Sequence, residues 1–465
     1  MHASAPGGTQ TLTGSPFSPS RPPRLDINFL RVSGVRMKNA FFRLAFILMS
    51  CSFIHAQQYR VLHNFGGPGD GTYPFTSLVP DHSGNLYGTT SSGGANNAGI
   101  AFQLSHNSSG IWKETVLYSF CSLSHCADGA QPFSAPILDA DGNIYGTTRL
   151  GGSGGQQLCA DLPLSGCGVA YELSPPHAPG GAWTESVLYN FCSVIHSSCS
   201  DGAQPIGNLV FDSAGNLYGA TQAGGNGGGG LGLGQNGMVF ELSPGSAGWT
   251  ETAIYNFCPG QHGDFCPDGS YPAAGVTLDN YGNLYGTTEI GGSSLARGGG
   301  AVYKLIPGSA GWTESVLWAF RLPYTGGSEP LAGVTVDPMG NVYSTTSVGG
   351  NEFGSVFRID ANGKGTEMLF NGSNGGAPYA GIVLDFQRHM IYGTTVAGGD
   401  FSAGVVYGIS PQGNGTVLYS FCTQTGCPDG ESPYAGLLED AAGTLFGTTA
   451  YGGSNGRGVV FMLKQ

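Results

Sequence analysis

The residues with the clearest chemistry are cysteines that occur in close pairs. Of eleven cysteines, Cys51 lies in an apolar segment near the start of the chain, and the other ten fall into five pairs. Paired thiols serve either disulfide bonds or zinc, but a structural zinc needs four ligands in one closed set. Because the pairs sit far apart in the chain, we predict five local disulfides and an oxidising compartment. The predicted pairs are Cys121 with Cys126, Cys159 with Cys167, Cys192 with Cys199, Cys258 with Cys266, and Cys422 with Cys427.

Aspartate recurs in loops of the same kind, as the dipeptide Asp-Gly with a proline shortly after it. The structural interpretation is a turn that leads into a strand. The functional alternative is an acidic ring that attracts cations or cationic ligands. Loop tyrosines, among them Tyr324 and Tyr379, could stack on sugars or pack at the start of a strand. The predicted binding residues are Asp70, Asp128, Asp201, Asp268, Asp429, Tyr271 and Tyr434.

Residues suited to acid–base catalysis are few. Glu329 and Glu431 stand in equivalent turns of the repeat described below, and a carboxylate pair could act on a glycosidic bond. His125, His196 and His262 lie between paired cysteines, without a carboxylate at a spacing that would form a catalytic pair. We therefore predict no catalytic residue, no metal ligand and no cofactor.

All these residues must be positioned by a unit that recurs seven times. Its signature is Gly-Asn-Leu-Tyr-Gly-Thr-Thr, and successive copies are 49 to 73 residues apart. Each unit contains four short runs rich in aromatic and β-branched residues, separated by turn residues, which is typical of strands. Such a period indicates the blades of a β-propeller. The aromatic residue of the signature is Tyr87, Tyr145, Tyr218, Tyr285, Tyr343, Tyr392 and Phe446.

One aspartate per unit precedes the signature, between the first and second runs. Calcium would need six to eight oxygens around one point, which one aspartate per unit does not supply. We therefore predict that this aspartate closes a tight turn. The residues are Asp81, Asp139, Asp212, Asp279, Asp337, Asp385 and Asp440.

The phase of the repeat predicts how the ring closes. The first strand-like segment, residues 61–65, matches the fourth run of a unit, and the last, residues 458–463, matches the third. Pairing these segments would complete the seventh unit and cover the exposed edges of an open array. We predict an all-β fold, a seven-bladed propeller with four antiparallel strands per blade, closed by its N-terminal strand.

The N-terminal region has a different composition from the repeats. Residues 37–56 combine basic residues, a short apolar centre and a terminal Ala56, which is typical of a secretion signal. We predict that translation starts at Met37, that residues 1–36 are disordered and were added by an overextended gene model, and that residues 57–465 form the propeller. A lipid anchor on Cys51 is the alternative to cleavage after Ala56. We predict no transmembrane span in the mature chain, because no other segment is long and apolar enough.

The full pattern resembles the GloVer tandem repeat, a family named after the bacterial groups in which the repeat abounds. The likeness covers residues 59–465 and rests on the signature, the Gly-Gly pairs after it, and fourth runs such as Trp-Thr-Glu-Ser-Val-Leu-Tyr. It implies a bacterial, exported, propeller-like protein. We predict that the mature chain is secreted, periplasmic or at the cell surface. The resemblance implies no activity.

The net charge of the chain bears on which classes of ligand it can bind. The net charge is −13, and it becomes −18 without the first 56 residues, which hold six Lys or Arg and one Asp. An acidic chain is a poor partner for nucleic acid. We predict a monomeric, non-enzymatic binding module for an extracellular ligand, either carbohydrate or protein. The alternatives are a hydrolase or lyase acting on polysaccharide or a lactone, and a structural or adhesive surface protein.

Overall fold

The computed structural model describes residues 58–155, 158–159, 164–178, 180–194, 199–226, 236–259, 266–293, 298–321 and 326–465. The predicted extension and secretion signal lie outside the described residues, as do Tyr324, His196 and His262. No helix in the described ranges combines the length and the apolarity that crossing a bilayer requires.

Seven sheets, each of four antiparallel strands, form a ring of blades, as the sequence predicts. The strands are given from the central channel outward. Blade 1 contains Val79–Pro80, Leu86–Thr90, Ile100–His106 and Trp112–Ser119. Blade 2 contains Ile137–Leu138, Ile144–Thr148, Val169–Ser174 and Thr184–Asn190. Blade 3 contains Ala203–Phe211, Leu217–Ala223, Met238–Gly245 and Gly248–Asn256. Blade 4 contains Thr277–Leu278, Leu284–Ile290, Gly298–Gly308 and Gly311–Arg321, and Ser270–Pro272 also pairs with its second strand.

The remaining blades follow the same order. Blade 5 contains Thr335–Val336, Val342–Thr346, Ser355–Ile359 and Gly365–Leu369. Blade 6 contains Val383–Asp385, Met390–Thr395, Val405–Ile409 and Gly415–Ser420. Blade 7 contains Leu438–Glu439, Thr444–Thr449, Val459–Lys464 and the N-terminal strand Gln58–Asn64. Two small ribbons pair Gly71–Thr72 with Ser92–Gly93 and Gly327–Ser328 with Val348–Gly349, and a 3-10 turn covers Ser124–Cys126.

The ring closes as the phase of the repeat predicts. Gln58–Asn64 runs antiparallel to Val459–Lys464, with Val61 opposite Phe461 and Asn64 opposite Val459. The register shifts by one residue after Val61, and the third and fourth strands of blades 1, 2, 3, 4 and 6 shift at the same point. The N-terminal strand is therefore a regular fourth strand contributed from the opposite end of the chain.

The signature of the repeat builds the centre of each blade. In blade 1 the strand Leu86–Thr90 is wholly buried, and Gly88 leaves room for a ring from the third strand. A Cβ on Gly88 would lie 2.6 Å from the ring of Phe102, closer than packed atoms allow. The hydroxyl of Thr89 donates to the carbonyl of Ser134 in blade 2 at 2.9 Å. The second strand thus packs its own blade through glycine and binds the next blade through threonine.

The seven junctions between blades each hold a separate apolar cluster, so the core is a ring rather than a single centre. At the junction of blades 7 and 1, here called the seam, Phe65, Phe102 and Val460 are fully buried. Tyr145 of blade 2 is covered in the same way by Trp249 of blade 3, with ring centroids 6.5 Å apart. Sequential blades therefore stabilise one another, as expected for a repeat protein.

The turn aspartates act as predicted from the sequence. Asp81 Oδ1 accepts hydrogen bonds from the backbone N–H of Ser83 at 2.8 Å and of Asn85 at 2.9 Å. Its Oδ2 accepts from Asn85 Nδ2 at 2.7 Å and from the Tyr87 hydroxyl. The carboxylate is occupied by donors of its own hairpin, which is the structural role of an aspartate that closes a turn.

Candidate functional site

A concave site lies at the mouth of the central channel. Antiparallel pairing puts the loops that lead into each first strand, and the loops between second and third strands, on one face of the ring, here called the loop face. A cavity of about 490 Å³ opens there and is lined by residues from all seven blades. This volume lies within the range of small-molecule sites.

Four aromatic rings form an arc along one side of this mouth. Each follows the proline that precedes a first strand, and they come from four consecutive blades. Tyr379 and Tyr434 have ring centroids 5.2 Å apart, Tyr434 and Phe75 are also 5.2 Å apart, and Phe75 stacks on Phe133 at 5.6 Å. We call these four residues the aromatic arc. The equivalent positions in blades 3, 4 and 5 are Ile206, Ala273 and Leu331, so the arc covers only part of the ring.

The other lining groups hold neighbouring first strands together. Ser77 Oγ accepts the N–H of Gly436 at 3.0 Å, and Asn208 Oδ1 accepts the N–H of Ala135 at 2.9 Å. The hydroxyl of Thr335 donates to the carbonyl of Ile382 at 3.0 Å. Among the described residues that line the cavity, none is charged. The mouth therefore presents apolar rings and neutral polar groups on a rigid frame.

The backbone before each proline fixes the orientation of the arc. The preceding residue has a positive φ in every blade, for example +60° at Tyr73 and +52° at Ala377. The N–H of Tyr73 donates to the carbonyl of Arg457 at 3.1 Å, and that of Ala377 to the carbonyl of Phe353 at 2.9 Å. Because each such residue is bound to the previous blade, the ring two positions later has a fixed place at the mouth.

Sequence analysis placed the aspartates of the Asp-Gly dipeptides at the binding surface, and the structure shows what each contacts. Asp128 and Asp201 are almost fully buried. Asp128 Oδ2 accepts from the hydroxyl of Tyr118 and from the N–H and hydroxyl of Ser122, at 2.7 to 2.9 Å. Similar bonds to a tyrosine of the preceding fourth strand are made by Asp201, Asp268 and Asp429. These aspartates lie in separate loops and are not among the described residues that line the cavity.

The remaining predicted site residues are divided between the mouth and the loops. Tyr434 belongs to the aromatic arc, whereas Tyr271 is a residue before proline with φ +57° and lies outside the lining. Asp70 binds His63 instead of a tyrosine. Glu431 pairs through its backbone with Tyr451. Glu329 is instead the acidic neighbour of Glu289, whose pKa is raised by burial and by this carboxylate.

All five predicted disulfides are confirmed. Four of them hold loops between a fourth strand and the next first strand, and Cys159 with Cys167 holds the loop between the second and third strands of blade 2. The loop face is therefore cross-linked next to the mouth. Phe75 and Phe133 are the site residues that sequence analysis missed. Their position after the repeated proline, which they share with Tyr379 and Tyr434, is the signal that could have found them.

A row of half-buried glutamates lies beside the loop aspartates and gives the stability of the fold a dependence on pH. Burial and the carboxylate of Asp128 raise the pKa of Glu185 to about 7. In the unfolded chain the same group titrates near 4.5. Between these values the folded state retains a proton that the unfolded state has lost, so the free energy of unfolding decreases as pH rises. Glu251 and Glu314 stand in equivalent positions beside Asp201 and Asp268.

We expect Glu185→Gln to stabilise the protein at pH 8 by about 1 kcal/mol, after allowance for the partial exposure of the side chain. At pH 3.5 we expect little difference, because the wild-type carboxyl is then largely protonated in both states. Thermal unfolding of both proteins at the two pH values measures this. Glu352→Gln, at an exposed loop position, should change neither transition. Equal stability of wild type and Glu185→Gln at pH 8 would contradict the assignment.

Comparison with known proteins places the chain in a family. The model of the Gloeobacter/Verrucomicrobia repeat matches residues 53–296, 163–385 and 282–465. The chain therefore belongs to the Gloeobacter/Verrucomicrobia repeat family, as its motifs predict. No curated protein sequence matches it significantly.

Solved structures are similar to the chain at low identity. A structural-genomics protein from Lactobacillus plantarum is 15% identical with a TM-score of 0.44, over 76% of this chain and 86% of the other. A gluconolactonase from Xanthomonas campestris is 12% identical with a TM-score of 0.37, over 72% and 85%. A carbohydrate-active enzyme of family AA12 from Trichoderma reesei is 15% identical with a TM-score of 0.39, over 88% and 96%.

Proposed function

We propose that this protein is an exported, non-enzymatic carbohydrate-binding propeller that holds neutral sugars against the aromatic arc. The observation that carries the proposal is the series of four rings at an uncharged channel mouth. Aromatic faces are electron-rich, and the C–H-bearing face of a sugar ring is apolar and weakly positive, so the two surfaces are complementary. A neutral ligand also avoids the cost of burying a charge.

The position of the rings supports a binding role over a purely structural one. Tyr379 is 37% exposed, and the other three rings of the arc are only half-buried. Rings needed only for packing are buried, as Phe120 and Phe191 are. Export is supported by the five disulfides, which are typical of oxidising compartments.

Titration of the full chain with a panel of soluble cell-wall and plant polysaccharides tests the proposal. We expect binding to at least one neutral glycan, and Tyr434→Ala should weaken it about tenfold, since Tyr434 contacts two other rings of the arc. Isothermal titration calorimetry provides the measurement.

The matched control is Tyr281→Ala. Tyr281 is 87% exposed on the opposite face, and its loss should leave glycan affinity unchanged. If no glycan in the panel binds, or if Tyr434→Ala binds as tightly as wild type, the proposal fails. Release of shorter products from any glycan would instead support the hydrolase or lyase alternative.

A further inference from the structure

The seam differs from the other junctions in how its loop is held. Five junctions carry an Asp-Gly loop, and in four of them a disulfide closes that loop. The fifth is the seam, where residues 66–71 contain no cysteine. The N-terminal strand that leads into this loop is held in blade 7 by pairing with Val459–Lys464 from the other end of the chain, so a further contact between this strand and blade 1 would strengthen the closure of the ring.

The side chains beside this loop also differ from the repeat. At three disulfide-bearing junctions the aspartate lies between a tyrosine of one blade and a glutamate of the next. Tyr118, Asp128 and Glu185 are one example. At the seam the tyrosine position is occupied by His63, while the carboxylates are kept as Asp70 and Glu114. A phenol donor is thus replaced by an imidazole, which is a good metal ligand at neutral pH.

The geometry of the three side chains is that of a ligand set. One ligand atom from each of His63, Asp70 and Glu114 lies within 4.8 Å of the other two. His63 Nε2 is 3.0 Å from Asp70 Oδ2. Glu114 Oε1 is buried and has no hydrogen-bond partner in the described part of the chain, and the same is true of Oε1 in the equivalent Glu185, Glu251 and Glu314. A buried carboxylate oxygen without a donor is costly, and at the seam, where an imidazole stands beside the two carboxylates, a cation between these atoms would satisfy it.

The surroundings hold the ligands in place. Backbone N–H groups of Gly66 and Gly71 donate to the Asp70 carboxylate at 3.1 and 2.6 Å. The ring of His63 packs edge-on against Phe65, with centroids 4.7 Å apart. The side chains of His63 and Asp70 are 20% and 10% exposed, so an ion and a water ligand can reach the site from solvent. Hydrogen bonds and packing contacts made by the ligand residues themselves orient metal ligands in proteins.

We propose that His63, Asp70 and Glu114 bind one divalent transition-metal ion, with Zn²⁺ as the preferred occupant, and that this ion cross-links the seam where other loops have a disulfide. One imidazole and two carboxylates form a set that zinc accepts, with water completing a tetrahedron. The ligands come from the N-terminal strand, the seam loop and the fourth strand of blade 1. Sequence analysis predicted no metal ligand because these residues are far apart in the repeat pattern. The site is independent of the proposed sugar binding.

Metal titration of the chelator-treated full chain tests this proposal. We expect one Zn²⁺ per chain by calorimetry, and a melting temperature several degrees higher with saturating Zn²⁺ than with EDTA, because binding favours the folded state. His63→Tyr installs the residue that four other junctions use, and should weaken Zn²⁺ binding at least 100-fold while preserving the melting temperature in EDTA. Glu114→Gln gives a second variant, which replaces the ligand carboxylate by a neutral amide of nearly the same shape.

A gain-of-function variant sharpens the test. Tyr118→His places an imidazole beside Asp128 and Glu185, and should raise the stoichiometry from one ion to two. With Co²⁺ in place of Zn²⁺, the spectrum should lack thiolate charge-transfer bands, which separates this site from adventitious binding to cysteines. Absence of Zn²⁺ binding, or Zn²⁺ binding unaffected by both His63→Tyr and Glu114→Gln, would overturn the proposal. Neither result bears on binding of glycans to the aromatic arc.

Discussion

Replacement of Gly458 by alanine is expected to lower the free energy of unfolding by about 3 kcal/mol or more, although it adds only one methyl group. Gly458 precedes the third strand of blade 7 and has φ +100°. An added Cβ would lie 2.7 Å from the Cδ of Pro74 and would also meet the carbonyl of Thr449. Pro74 belongs to blade 1, so the substitution would separate the two blades that form the seam.

The expected destabilisation is large because neither the Thr449 carbonyl nor the Pro74 ring can shift without displacing the backbone. The Thr449 carbonyl belongs to a buried strand, and the proline ring is fixed in the backbone that leads to the aromatic arc. The same contact recurs at every junction, for example between Gly404 and Pro433. Each repeated glycine therefore allows a proline of the next blade to pack against the backbone.

Gly456→Ala is the matched control, two residues away. Gly456 has φ +67°, but a Cβ there would meet nothing within 4 Å. Its replacement should cost only the backbone strain of about 1 kcal/mol. Chemical denaturation of the two variants and wild type gives the comparison. Equal losses would show that conformation, rather than contact between blades, explains why glycine occupies position 458.

Much of the architecture could be predicted because the order and spacing of the repeated segments determine which strands pair. The offset between the first and last segments predicted that residues 61–65 lie beside residues 459–463, and the structure pairs Gln58–Asn64 with Val459–Lys464. Short cysteine spacings specified the disulfides, because neighbouring cysteines in a turn have few other partners. Such inferences need only the order of elements along the chain.

The functional site was harder to predict because it depends on directions of side chains. That Asp128 binds a ligand stays a prediction, and the hydrogen bond from Tyr118 on the outer strand to its carboxylate could not be read from the sequence. Phe75 and Phe133 were overlooked because a ring after proline can pack in the core or face a cavity, and only the ring geometry decides. His63 is a single departure from the repeat, and its meaning depends on Glu114, a residue from another blade.

Removal of the N-terminal strand should have the largest effect of all. Deleting residues 58–64 leaves the third strand of blade 7 as an open edge. Val459, Val460 and Phe461 of that strand are fully buried in the intact protein. Exposed edges with apolar side chains pair with other chains. We expect the deletion variant to be aggregated or oligomeric by size-exclusion chromatography, without the cooperative thermal transition of wild type.

A circular permutant separates loss of the strand from loss of closure. Residues 58–65 would follow Gln465 through a two-residue hairpin like the one between Gly245 and Gly248, and the chain would begin at Gly66. Blade 7 would then consist of four consecutive strands, and the seam would be held only by non-covalent contacts, such as the backbone hydrogen bond from Tyr73 to Arg457. We expect a soluble monomer whose melting temperature is lower than that of wild type by about 5 °C or more.

The two variants together test why the repeat is offset by one strand. If the N-terminal strand is needed only to complete blade 7, the permutant should have the same melting temperature as wild type. If its connection to blade 1 matters, the permutant should fold but lose stability, since strand pairing no longer joins the ends of the ring. A deletion variant that remains monomeric and melts like wild type would contradict both accounts, because the edge of Val459–Lys464 would then need no partner.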